Sequence, residues 1–154
     1  MKTLVTGSSS LLGAQVIRAL VARGDTVVVT QRNPSDIAAE LGLEQHLADV
    51  VDMPAPALSG VDAVIHLAGE SLNGRWTAAR KARIRESRAQ GTRLLSRTLA
   101  GLQHPPDTLI SVSAIGYYGD RGDEVLREEN PPGKGFLAEV CQEWEAATQP
   151  AADR

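Results

Sequence analysis

The chain has 154 residues, of which 42% are apolar and 3% aromatic, room for one compact domain and too apolar for disorder. Its 16 basic and 19 acidic residues leave a net charge of -3, which gives no general electrostatic reason to seek nucleic acid or an anionic membrane. One cysteine, Cys141, excludes an internal disulfide framework and fits a reducing, cytoplasmic setting. No run approaches the ~18 apolar residues of a membrane span, and no signal peptide is expected ahead of the first glycine turn.

Few aromatics and abundant Val, Leu, Ala and Gly predict an α/β protein with a parallel sheet buried on both faces. Short β-branched or aliphatic runs at 3–6, 26–30, 45–50, 63–67 and 108–112 read as its strands. Between the first two, Leu12, Val16, Leu20 and Val21 recur at helical spacing and Arg23-Gly24 closes the segment. This strand, helix, strand unit makes a right-handed crossover with parallel strands. A second helix is expected over 76–100, with Ile84, Ser87, Gly91, Leu94, Leu95 and Thr98 on one face; small Ser87 and Gly91 would let it lie close to the sheet. A third, over 136–148, places Leu137, Val140, Cys141 and Trp144 together, and the Gly-, Asp- and Pro-rich stretch 117–134 reads as a loop.

The turn after the first strand, Gly7-Ser8-Ser9-Ser10-Leu11-Leu12-Gly13, opens an amphipathic helix. A dinucleotide pyrophosphate suits such a junction, because the first N–H groups of a helix are unpaired and its dipole favours an anion. Gly7 and Gly13 fill the outer places of the glycine pattern and Ser10 the middle one; a serine-capped βα loop is the plain alternative. Gln31-Arg32 ends the second strand where an acid would hold the ribose 2′-OH of NAD, and a guanidinium there suits the 2′-phosphate of NADP. Asp49, taken as the end of the third strand, would stand beside an adenine. The fourth strand runs into His66-Leu67-Ala68-Gly69-Glu70, bringing backbone to the sheet's carboxyl edge, with His66 read as a packed strand residue. Residues 75–97 hold eight basic residues and one acid, so this stretch carries +7 and the remainder -10. It borders the expected phosphate site, and Arg88 beside Ser87 is the cation expected to reach it.

The combination of Thr6-Gly7 to Gly13, Leu67-Ala68-Gly69-Glu70, Arg75-Trp76-Thr77, Ser87-Arg88, Gly91-Thr92, Ser113-Ala114-Ile115-Gly116-Tyr117-Tyr118-Gly119 and Phe136-Leu137-Ala138-Glu139-Val140-Cys141 resembles the NAD(P)-dependent epimerase/dehydratase-like family. Within it, the chain is similar to the extended or atypical short-chain dehydrogenase/reductase branch of sugar-nucleotide epimerases. The resemblance implies a Rossmann-type doubly wound sheet of about five strands in order 3-2-1-4-5, without the later strands and C-terminal substrate domain of full-length members. It implies a cofactor site from Gly7, Ser10, Leu11, Leu12, Gly13, Gln31, Arg32, Asp49, Leu67, Ala68, Gly69 and Arg88, with NADP expected and NAD possible. The family's Tyr-x-x-x-Lys pair falls on Phe136 and Val140, so neither phenol nor ammonium is present there. Ser113 and the two phenols of the chain, Tyr117 and Tyr118, are the stand-in catalytic candidates.

The leading expectation is an NADP-binding epimerase-like oxidoreductase domain spanning 1–154 that acts on a nucleotide-sugar or other hydroxylated substrate. The alternative is a non-catalytic NAD(P)-binding or redox-sensing module. No metal site, nucleic-acid partner or membrane association is expected. The outer edge of the fifth strand is expected to promote self-association.

Overall fold

The β-branched runs pair into one parallel sheet. The computed structural model describes residues 1–154, the side chains of Val51 and Ala55 excepted. Its strands are β1 (Lys2–Thr6), β2 (Thr26–Gln31), β3 (Glu44–Leu47), β4 (Ala63–His66) and β5 (Thr108–Ser111). They lie in the order β3-β2-β1-β4-β5, and every pairing is parallel, with Thr3 opposite Val27 and Ala63, and His66 opposite Ser111. This is the Rossmann-type order expected from the sequence.

The strands alternate between two apolar layers. Leu4 and Val28 face Leu58, Val61, Leu95 and Leu99 on one side. Val5, Val27 and Val29 face Ile17, Leu20, Ile37 and Ala38 on the other. A sheet covered on both faces needs apolar residues at successive positions, which is why β1 and β2 read as continuous runs. The covering helices are α1 (Leu11–Ala22), α2 (Asp36–Leu41), α3 (Ala55–Leu58), α4 (Ala78–Arg85), α5 (Gly91–Ala100), α6 (Phe136–Ala146) and α7 (Gln149–Ala152). Among the described residues no helix is long and apolar enough to cross a membrane.

Several expected elements are corrected. β3 stops at Leu47, because β2 ends at Gln31 opposite it and the last bond runs from Ala48 N–H to the Gln31 carbonyl. Asp49 therefore stands beyond the strand, in the turn that leads into a 3-10 turn at Val50–Asp52. The α1 face shifts by a residue: Gly13, Ile17 and Leu20 are buried, whereas Leu12 lies in the first turn, beyond the sheet, and is 56% exposed. Short α2, α3 and α7 went unread, since helices of four to six residues carry too few apolar repeats to show a period.

The expected 76–100 helix is two helices joined by a π-turn, Glu86–Gln90. Thr77 caps α4 by accepting the Arg80 N–H. The wider turn resets the helical period, so Thr92, Leu95, Ser96 and Leu99 become the buried face and Leu94 and Thr98 turn outward.

His66 is wholly buried in β4, and burial pushes its imidazole down to about 4 from the ordinary 6.5. Its unfolded form takes up a proton below 6.5 while the folded form resists until about 4, so stability falls with pH across that window. The expected loss is on the order of 3 kcal/mol. Urea melts at intervals across the window should follow it, and a His66→Gln variant with an equally steep decline would assign the loss to other groups.

Candidate functional site

The β1–α1 turn builds the floor of a cleft at the carboxyl edge of the sheet. Gly7 adopts φ +75°, and a Cβ on it would stand 2.7 Å from the Leu67 carbonyl carbon at the end of β4. A Cβ on Gly13 would stand 2.3 Å from the Gly7 carbonyl oxygen. Both positions demand glycine so that the turn can close against β4. Ser10 caps α1: its Oγ accepts the Gly13 N–H at 2.9 Å and donates to the Gly7 carbonyl at 2.9 Å. Leu11 and Leu12 open the helix, and no intrahelical carbonyl lies within reach of their N–H groups. Their side chains stand outside, so any ligand contact from these two residues is through backbone.

The cleft has a volume of about 320 Å³. Of the residues expected from the sequence, Gly7, Gln31, Arg32, Asp49, Ala68 and Gly69 line it; Ser10, Leu11, Leu12, Gly13, Leu67 and Arg88 do not. Ser9, Thr30, Asn33, Pro34, Ala48, Val50, Glu70, Ser87 and Gly91 also line it. Most of these flank a strand end already named, so strand-end adjacency was the signal for them. Gly91 is a different case. A Cβ there would meet nothing within 4 Å, so this glycine opens the cleft wall and does not serve close packing on the sheet.

Two polar atoms of the cleft wall, Thr30 Oγ1 and Gln31 Nε2, are buried without a protein partner among the described residues. The other end of the Gln31 amide is held: fully buried Ser8 donates its hydroxyl to Oε1. Buried polar groups are normally satisfied, and orphans in a cleft are a place for a polar ligand.

Beneath the cleft runs a buried polar chain. Thr6 Oγ1 accepts the N–H groups of Leu67 and Ala68, each at 3.3 Å, which leaves its proton for His66 Nδ1 at 2.7 Å. His66 Nε2–H then donates to Thr92 Oγ1 on α5 at 3.0 Å. The imidazole is neutral and spent on packing, as its apolar strand context suggested.

Arg88 lies behind the cleft wall. Its Nη1 donates to the Glu70 and Ile84 carbonyls at 3.0 and 3.3 Å, and its guanidinium stacks 5.2 Å from the Trp144 ring. Desolvation holds its pKa below the usual arginine range. Arg80, Lys81, Arg83 and Arg85 of the basic stretch are also engaged, Lys81 over the Phe136 ring. Arg83 and Arg80 face Glu70 at 3.6 and 3.9 Å, and Arg85 meets Glu139 and Glu143 at 3.1 and 3.3 Å. The +7 stretch is mostly a set of struts rather than an open phosphate patch.

A second cavity, of about 460 Å³, adjoins the end of β5 and is lined by Ser113, Ala114, Ile115, Tyr117, Tyr118, Glu128 and Glu145. The three catalytic candidates are thus brought together, and the two carboxylates, which no sequence spacing flagged, join them. Ser113 Oγ donates to Glu145 Oε1 at 2.5 Å. The two phenol rings meet edge to face, with centroids 5.2 Å apart. Desolvation, followed by the Glu128 carboxylate, pushes the Tyr118 phenol above its ordinary range. Cys141 Sγ donates to the Ala114 carbonyl at 3.8 Å, tying α6 to the end of β5, and burial pushes its thiol up.

Phe136 and Val140 line neither of these two cavities. The Phe136 ring packs on Trp76 at 5.8 Å under Lys81 and Arg85, and Val140 is 1% exposed. The glycine turn, the βαβ order and the cleft at the switch point are the decisive pattern, and the model of the NAD dependent epimerase/dehydratase family matches residues 3–138. The chain belongs to this family.

An epimerase family protein of Mycobacterium bovis, Mb2239, is 38% identical over 149 residues, covering 96% of this chain and 48% of the relative. Bacillus subtilis YfhF is 30% identical over 151 residues, covering 97% and 50%. The chain thus spans about half the length of the curated relatives it matches. The crystal structure of a nucleoside-diphosphate sugar epimerase from Corynebacterium glutamicum has a TM-score of 0.80 at 37% identity, over 99% of this chain and 31% of that one. Human SDR39U1, an epimerase family protein solved with NADPH, has a TM-score of 0.76 at 28% identity, over 96% and 48%.

The glycine geometry separates two substitutions in this epimerase-family chain, one in the β1–α1 turn region and one at the start of α5. Gly13→Ala should destabilise the chain by about 1–3 kcal/mol through overpacking. Gly91→Ala should be neutral or stabilise by up to roughly 1 kcal/mol, because a helical glycine in open space gains from a methyl group. Paired denaturant melts test this, and equal effects of the two would contradict the packing described.

Proposed function

We propose that residues 1–154 form one NADP-binding domain of a cytoplasmic, epimerase-like oxidoreductase that acts by hydride transfer on a nucleotide-sugar or other hydroxylated substrate. The observation that carries this reading is that Arg32 and the Gly7 turn line one cleft. The residues present fit a dinucleotide. The first-turn N–H groups of α1 suit its pyrophosphate, Arg32 a 2′-phosphate, and the orphaned Gln31 amide and Thr30 hydroxyl a ribose or adenine. Asp49 completes the adenine end. The NADPH carried by human SDR39U1 supports the choice of NADP.

When bound, the nicotinamide ring supplies the hydride donor and acceptor. The chain's own residues orient the reacting oxygen and move its proton. Ser113, held by Glu145, orients that oxygen beside the end of β4, since β5 runs in register with β4 up to Ser111. Tyr118, kept protonated by its surroundings, donates a proton; Tyr117 stands against it as the alternative donor. Glu145, hydrogen-bonded to Ser113, is the group placed to accept one. The loss of the Tyr-Lys pair at Phe136 and Val140 favours a second reading, a non-catalytic dinucleotide-binding or redox-sensing module.

Fluorescence titration should show saturable NADPH binding, with NADH weaker. Arg32→Ala should weaken NADPH by about ten- to a hundredfold, the worth of a charge-assisted hydrogen bond, and leave NADH nearly unchanged. No saturable binding of either below millimolar concentration would remove the cofactor assignment. With candidate nucleotide sugars, turnover that survives in Tyr117→Phe, Tyr118→Phe and Glu145→Gln alike would take these groups out of the mechanism. A consistent absence of turnover with intact NADPH binding supports the sensing module.

The outer edge of β5, where Ile110 is exposed, is proposed as a self-association edge. Sedimentation at tens of micromolar should show dimers or larger species. A clean monomer would count against it.

A further inference from the structure

We propose that the π-turn Glu86–Gln90 is a positioning clamp for the cofactor cleft, in which Ser87 and Arg88 hold the two sides of the Glu70 main chain. The inference rests on the cleft's taking a nicotinamide dinucleotide. Glu70 N–H donates to Ser87 Oγ at 3.0 Å, and Ser87 Oγ donates to the Ile84 carbonyl at 3.1 Å. On the other side, Arg88 Nη1 donates to the Glu70 carbonyl at 3.0 Å and to the same Ile84 carbonyl at 3.3 Å. One residue of the cleft wall is therefore fixed at both its backbone groups by two consecutive side chains anchored on one buried residue.

The turn makes this possible. The residue it adds lets Ile84 before it, and Thr92, Leu95 and Leu99 after it, all be buried. Between those two faces Ser87 and Arg88 reach the loop after β4. A π-turn in a helix is costly to keep and recurs where a function needs it. Arg88 is held from behind by the Trp144 ring, and the guanidinium lies 3.4 Å from where a Gly69 Cβ would stand. No carboxylate forms an ion pair with it among the described residues.

Gly69 and Glu70 line the cleft while Arg88 does not, so Arg88 acts through them. Trp144 precedes Glu145, which holds Ser113, so the same guanidinium links the wall of the cleft to the helix that shapes the second cavity. Arg88 and Ser87 are positioning residues in this assignment. A phosphate contact by Arg88 is the competing account, and charge-retaining substitution separates the two.

The test compares Ser87→Ala, Arg88→Met, Arg88→Lys and the double variant S87A/R88M by NADPH fluorescence titration at low and high salt, and by amide exchange of Glu70. Each single variant should bind NADPH about tenfold more weakly, as loss of one buried hydrogen bond implies. The double should be no more than about twofold worse than the weaker single, because both side chains hold one group. Arg88→Lys should be no better than Arg88→Met, since lysine lacks the planar guanidinium that stacks on the Trp144 ring and holds Nη1 at the two carbonyls, and the salt dependence should not change. Glu70 N–H should exchange faster in S87A, the mildest change and the one least able to unfold the chain. Wild-type affinity in R88M, full rescue by R88K, additive losses, or unchanged exchange at Glu70 would overturn the clamp. If the wild type binds no NADPH, the cofactor reading falls, and the exchange rate of Glu70 alone then decides the clamp.

Discussion

The structure depends on how closely the β1–α1 turn approaches the end of β4. Gly7 lies so near Leu67 and Ala68 that no side chain fits, and Gly13 packs α1 directly on the Gly7 carbonyl. Because that contact is between backbones, it fixes the start of α1, and with it the direction of the first N–H groups, to within the tolerance of packed main chain. The cleft follows from it. One wall is the turn, the other is the segment after β4, and the separation between them is set before any cofactor arrives.

The second wall needs its own support, because a segment leaving a strand has no ladder to hold it. Thr6 supplies part by accepting the N–H groups of Leu67 and Ala68, and the π-turn supplies the rest at Glu70. His66 ties the two supports together through Thr92. A neutral imidazole serves here because it donates on one side and accepts on the other. Burial disfavours the charged ring and holds its pKa down, and a second ring proton would also cost the bond from Thr6 to Nδ1.

The sheet order, the glycine turn and the role of His66 were legible because each rests on a local rule: continuous apolar runs, forced backbone geometry, and an apolar strand around the ring. Arg32 and Asp49 were placed at the cleft by strand-end position alone, even though β3 is shorter than its apolar run suggests. The face of α5 was not legible, since a π-turn leaves no mark in composition and displaces every later position by about one residue. Arg88 illustrates the consequence. Its position in the sequence suits a phosphate, whereas its partners are the Trp144 ring, the Glu70 carbonyl in the loop after β4 and the Ile84 carbonyl one turn before it. Glu145 was equally hidden, because Ser113 and Glu145 are 32 residues apart and only the docking of α6 on the end of β5 unites them.

That docking also explains why the missing Tyr-Lys pair leaves no hole. Phe136 is held between Trp76 and two cations of α4, and Val140 is sealed in the core, so the first turns of α6 have become packing surface. The polar groups facing the sheet edge lie further along the same helix, at Glu145, with Cys141 tying the intervening turn to Ala114. A helix that packs its N-terminal positions and presents a carboxylate two turns later brings that carboxylate to the end of β5. The serine at that strand end has a carboxylate partner, Glu145, where the family pattern would supply a phenol from the start of α6. Glu128 and Glu145 make the second cavity acidic, so a neutral or cationic group fits there better than an anion.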